Sequence, residues 1–145
     1  MEKDYWDSLY KTVDEFRRGF INYLGLESNE IHDGNGRKTG IVKIGRNKDG
    51  NFEMCAPLLL DKDGKELSFI LYLMLPSKEA MEVELTSWTK ITVSKPFFDE
   101  DAINISTADM YHPILCSKEN DQLNLTPFYD ELFSELIRKI SIESL

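Results

Sequence analysis

Apolar residues recur at intervals of three and four over the first two dozen positions. Tyr5, Leu9, Val13, Phe16, Phe20 and Leu24 fall on one side of a helix over 4–24, and Trp6, Tyr10 and Ile21 widen the stripe. Gly25 marks its stop. The polar stretch 27–40, with three glycines, reads as a connector.

The period then shortens to two. Asp49-Gly50 and Asp63-Gly64 suit turns with positive φ, and they divide the middle of the chain into strands near 40–46, 51–60 and 65–75. Pro76-Ser77-Lys78 makes the next break, before a fourth strand over 81–94. There Met81, Val83, Leu85, Ile91 and Val93 share one face. Glu82, Glu84, Thr86, Lys90 and Thr92 share the other, with Trp88 among them. Turns this short join antiparallel neighbours, so a four-stranded antiparallel meander is expected.

The third strand is apolar on both faces. Leu67, Phe69, Leu71, Leu73 and Leu75 alternate with Ile70, Tyr72 and Met74. Such a strand belongs at the centre of a sheet covered twice. The terminal helices supply one cover; the 97–125 segment or another copy of the protein supplies the second. In the last helix, over 126–141, Thr126 suits the N-cap and Pro127 the first helical position. Tyr129, Leu132, Phe133, Leu136, Ile137 and Ile140 form its apolar stripe, and Leu136 and Phe133 are expected to be buried. Asp130 and Glu131 near its start and Arg138 and Lys139 near its end complement the helix dipole. The expected architecture is a single α+β domain over 1–145, a four-stranded antiparallel meander packed by N- and C-terminal amphipathic helices.

At 41% hydrophobic and 30% charged residues, 145 residues suffice for one ordinary core. No apolar run reaches the roughly 18–20 residues that span a bilayer. The start, MEKDYWDSLY, lacks a cationic region followed by an apolar one, so a cytoplasmic location is expected. Cys55 and Cys116 then read as reduced thiols.

Charge changes the picture more. Residues 1–96 carry 16 acidic and 14 basic side chains, whereas 97–131 carry eight acidic ones and one base, Lys118. That quarter of the chain supplies most of the net charge of −9. Direct contact with nucleic-acid phosphates or a membrane is disfavoured by this sign. A basic partner is favoured, because a one-signed field steers association. Solubility alone is the competing explanation.

No motif supplies a catalytic set, metal site or cofactor. His32 and His112 lack a second ligand at zinc-like spacing, Cys116 four residues after His112 excepted. HDGNGRKTG departs from the phosphate-loop spacing, and DKDGKE departs from the calcium-loop spacing. The stretch PFFDEDAINISTAD, 96–109, stands out instead. Pro96 ends a strand, Phe97 and Phe98 anchor the loop in the core or leave one ring exposed for contact, and Asp99, Glu100 and Asp101 project outward. The expected partner-binding set is Phe98, Asp99, Glu100, Asp101, Asp109, Glu119, Asp121 and Trp88.

In size, charge and element order the chain resembles two broad groups. One is the immunity proteins and antitoxin-like inhibitors, which implies a non-catalytic inhibitor of a basic toxin or nuclease. The other is the type III secretion chaperones, which implies a dimer holding a cationic effector segment, so a homodimer stays open. A third expectation is a small enzyme using carboxylates near Asp99 to Asp101, or His112.

Overall fold

The structure is a computed structural model that describes residues 2–26, 30–32, 38–76, 83–99 and 101–143. The apolar stripe of the N-terminal segment forms helix α1, Glu2–Tyr23. Gly25 ends it in the left-handed region, at φ 70°. Its N–H donates to the Asn22 carbonyl at 3.0 Å and the Leu26 N–H donates to Ile21 at 3.3 Å, the double bond pattern of a Schellman stop. Within the expected connector, Glu30–His32 (β1) and Lys38–Gly40 (β2) pair as a separate antiparallel ladder.

Seven further strands form one antiparallel sheet, where four were expected. They begin with β3 (Val42–Lys48), β4 (Asn51–Met54), β5 (Asp61–Asp63) and β6 (Glu66–Pro76). β7 (Val83–Ser94), β8 (Ile103–Thr107) and β9 (Ile114–Cys116) complete it. Their order is β4-β3-β6-β7-β8-β9, with β5 also on β6. Met81 and Glu82 lie outside the described residues.

The meander is corrected at its first half. β3 lies between β4 and β6, so the second strand of the expected order sits at the edge. Pro57 is the physical reason. It cannot donate to a ladder, and Pro57–Leu59 turn as a short 3-10 helix, so only the first four residues of the expected 51–60 strand form a strand, β4, and β5 begins just beyond it. The polar NFEM of β4 takes the edge. Val42 and Ile44 of β3 pair with Leu73 and Leu71. The Asp49-Gly50 turn has φ of 54° and 87°, matching the twist of the β3–β4 hairpin.

The 97–125 segment is corrected too. It does not lie over the outer face of β6 but lengthens the sheet through β8 and β9. Ile103, Ile105 and Thr107 alternate inward with Asn104 and Ser106 outward, and β8 pairs with β7 through Ile91↔Thr107 and Val93↔Ile105. A small hairpin, Lys118–Glu119 (β10) and Gln122–Leu123 (β11), follows. Its turn residues Asn120 and Asp121 both have positive φ, 52° and 64°.

Helix α2, Thr126–Glu143, closes the chain. It starts a residue earlier than the Thr126 N-cap spacing implies. The Leu125 carbonyl accepts from Tyr129 at 3.0 Å, and Asn124 Oδ1 accepts from the Thr126 N–H at 3.1 Å. Both long helices pack on one face of the sheet. Leu9, Phe16 and Phe20 of α1 and Phe128 and Leu132 of α2 meet Leu67, Phe69 and Leu71, all fully buried or within one per cent of it. Phe16 lies 5.4 Å from Phe69 and 5.9 Å from Phe128. Leu136 is buried as expected, but Phe133 is 40% exposed. Phe128, five positions earlier and on a different side of the helix, is fully buried in the core. Burial pushes the Tyr129 phenol well above its ordinary value, and its hydroxyl donates to the Phe16 carbonyl.

Candidate partner-binding surface

Pro96 is buried and ends β7 as expected, but neither phenylalanine after it enters the core. Phe97 is 105% exposed and Phe98 75%. The anchoring expected of at least one ring is therefore corrected. The backbone explains the arrangement. Asp99 Oδ1 accepts the Asp101 N–H at 2.9 Å and the Asp99 carbonyl accepts from Ala102, so the chain turns tightly back into β8. Ala102 and Ile103 are the buried residues that anchor this loop. The two rings are left on the outside of the turn. Glu100 lies outside the described residues.

Asp101 meets Lys118 of β10 at 3.5 Å, with both side chains at least half exposed. Such a pair contributes little to stability. Asp101 and Asp121 line one groove of about 250 Å³ beside α1. Lys11, Lys95 and Lys118 face Glu15, Asp101 and Asp121 there, so the groove is balanced in sign. Glu119 is exposed on the same hairpin. The structure thus gathers Phe98, Asp99, Asp101, Glu119 and Asp121 along one edge, on the turn and the hairpin that Lys118 ties to it.

Two expected residues lie elsewhere. Asp109 follows β8 at its other end and pairs with Lys139 of α2 at 2.9 Å. A five-residue strand puts it roughly 17 Å or more from Asp101. Trp88 is on the outer face of β7, opposite Tyr72. The acidic segment is also divided at Asp130, which accepts from the Tyr23 hydroxyl at 2.6 Å on the helix layer. That bond, with some burial, raises the Tyr23 phenol above its ordinary value.

The aromatic cluster on the outer face of the sheet joins Tyr72 and Trp88, both singled out in the sequence, to Phe52, which was not. Phe52 stacks on Tyr72 at 4.9 Å, and Trp88 meets both edge-on at 5.9 and 5.7 Å. Gly45 sits between Lys43 and Asn47 on β3. A Cβ there would collide with the Glu53 backbone, so β4 can lie this close to β3 only opposite a glycine. The signal was present in the outer positions of β6, Ile70, Tyr72 and Met74, but Phe52 carries it across β3 from a strand too short to show a period.

The thiols and imidazole stay apart in character. Cys116 is buried, and burial pushes its thiol up, so it is protonated at neutral pH; burial raises the half-buried Cys55 thiol as well. His112 is exposed and meets Tyr111 edge-on at 5.0 Å. Arg46 donates to Glu53 at 2.8 and 3.2 Å from two nitrogens. This bond lowers the Glu53 carboxyl and raises the Arg46 guanidinium. Among the described residues no group of three His, Cys, Asp or Glu side chains is placed to hold a metal ion. Among them also, no helix is long and apolar enough to cross a membrane.

What the site defines is a surface on an α+β domain. No family model, curated protein or solved structure matches the chain.

Proposed function

We propose that the chain is a non-catalytic binding protein of the inhibitor type, immunity- or antitoxin-like, that neutralises a basic protein such as a nuclease toxin. The docking element is the turn Phe97–Asp101 with the β10–β11 hairpin beside it. One observation carries this reading: two consecutive phenylalanines, one fully and one three-quarters exposed, stand on a well-anchored turn with Asp99 and Asp101 next to them. Scattered exposed apolar residues are ordinary, but a pair of adjacent exposed aromatics on a turn is an anchor in search of a pocket. The carboxylates form its rim, where charge governs association rate and register.

The test uses the wild-type chain and the Phe97→Ser/Phe98→Ser variant as baits for cellular proteins. The protein retained by the wild type alone is purified and its affinity measured. A basic partner bound at least about 100-fold more weakly by the variant is expected, since aromatic hot spots carry about 2–4 kcal/mol or more. Equal retention by both baits contradicts the reading.

A further inference from the structure

The outer face of the sheet is built to meet something. An antiparallel strand with one solvated face normally alternates apolar and polar residues. β6 does not: its outer positions are Ser68, Ile70, Tyr72 and Met74, and among the described residues both long helices lie on the opposite face, with only Met74 packed against the core. Phe52 and Trp88 enlarge this apolar centre, and Trp88 is 41% exposed. The charges around it are arranged by sign. Lys43 lies over Tyr72, its Nζ 5.6 Å from the ring centroid, and Lys90 faces out opposite Ile70. At the other end of β6, Asp61, Asp63 and Glu66 occupy outward positions of the β5–β6 hairpin.

We propose that this face binds a second copy of the chain through a two-fold axis that crosses the strands at the level of Phe69. The register supports that particular operation. Lys43 is opposite Tyr72 and Asp63 is opposite Glu66, so they stand three positions either side of Phe69. Both are on strands that pair with the same edge of β6. A half-turn about an axis between two such faces therefore sets each Lys43 over the other copy's Asp63 and Glu66. It sets each Lys90, level with Ile70, over the other copy's Thr92, level with Ser68, so the lysines do not meet. An isologous contact requires such self-complementarity, and a surface for an unrelated partner does not.

The area sets the strength. The face from Glu66 to Met74 is about 30 Å long, and four strands across are about 19 Å wide. This gives about 600 Å² per copy, at the lower limit for a specific interface, so the dimer is weak, with Kd on the order of 10 μM. It uses residues separate from the turn at Phe97 and stands whether or not that turn is a docking site.

Sedimentation equilibrium of the full chain from about 1 to about 500 μM tests this. The mass should rise from 16.8 kDa toward twice that value. Lys43→Glu alone and Asp63→Lys alone should each weaken association about tenfold or more, and their combination should restore it to within about threefold. Trp88→Ser should leave the chain monomeric with an unchanged far-UV spectrum. A wild-type mass of 16.8 kDa throughout the range overturns the proposal. So does a dimer indifferent to the three single variants, or a double variant no better than either charge reversal alone.

Discussion

Both faces of β6 carry large apolar residues, all four inner positions from Leu67 to Leu73 and three of the five outer ones from Glu66 to Met74, but they differ in what the chain does with them. On the inner face Leu67, Phe69, Leu71 and Leu73 are sealed by two helices. On the outer face Ile70, Tyr72 and Met74 stay half-buried, Met74 packing at one end against the core while neither long helix covers Ile70 or Tyr72. The inner set is explained by folding. The outer set, and the exposed rings at Phe97 and Phe98, are not, since the same chain buries every large apolar residue its helices can reach on the inner side of this strand. Apolar residues in excess of the core are where intermolecular contact is to be sought.

Substitutions should separate the faces, and the largest effect is expected inside. Phe16→Ala removes a fully buried ring that touches α1, α2 and β6 neighbours. It should cost about 3–5 kcal/mol in urea unfolding. Leu132→Ala should follow at about 2–5 kcal/mol. Gly45→Ala tests the close approach of β4 to β3 that brings Phe52 to the outer face. The added methyl must push the Glu53 backbone aside, for a loss of about 1–3 kcal/mol together with a weaker Phe52–Tyr72 contact in the near-UV spectrum. Trp88→Ser on the outer face should cost about 1 kcal/mol or less, because only edge-on contacts to two rings are removed. A Trp88→Ser loss equal to that of Phe16→Ala would erase the distinction between the faces.

Much of the inner face was legible in the sequence. Both helices carry their stripes openly, and Gly25 stops α1 because only a left-handed residue closes a Schellman motif without strain. β7 announces itself by alternation and β6 by a strand-length run that is apolar on both faces. Three features were hidden for separate reasons. β8 is a regular strand, but its INIST pattern sits inside the acidic segment, where charge drew attention away from period. Pro57 fell inside the expected 51–60 strand because the two Asp-Gly turns alone set its bounds. The Asn120-Asp121 turn lacks glycine, and its two positive φ values show only in the backbone. The candidate site was half legible. Charge density located the turn and the hairpin, but nothing in the sequence could say that both phenylalanines point outward or that Asp109 is tied to Lys139 at the far end of β8.

The smallest expected effect is one of pH. Arg46 holds the Glu53 carboxyl below its ordinary value, so the folded state binds that proton less readily than the unfolded chain. The corresponding stability is present above the ordinary carboxylate range and lost as pH falls through the lowered folded value. Glu53→Gln should remove this part of the acid slope, seen as a flatter urea midpoint between about pH 5 and pH 3. An unchanged slope would mean that the exposed pair is too well screened to matter.

The docking turn is tested most directly by association kinetics on the basic protein that the wild-type chain retains. Asp99→Lys/Asp101→Lys is compared with the wild type by stopped flow at about 20 and about 300 mM salt, since screening lengths near 10 Å at 0.1 M separate rim charge from anchor contact. The account predicts an association rate at least about tenfold lower for the variant at low salt, a difference that shrinks at high salt, and unfolding midpoints that agree. Equal association rates for the two proteins at low salt would contradict it.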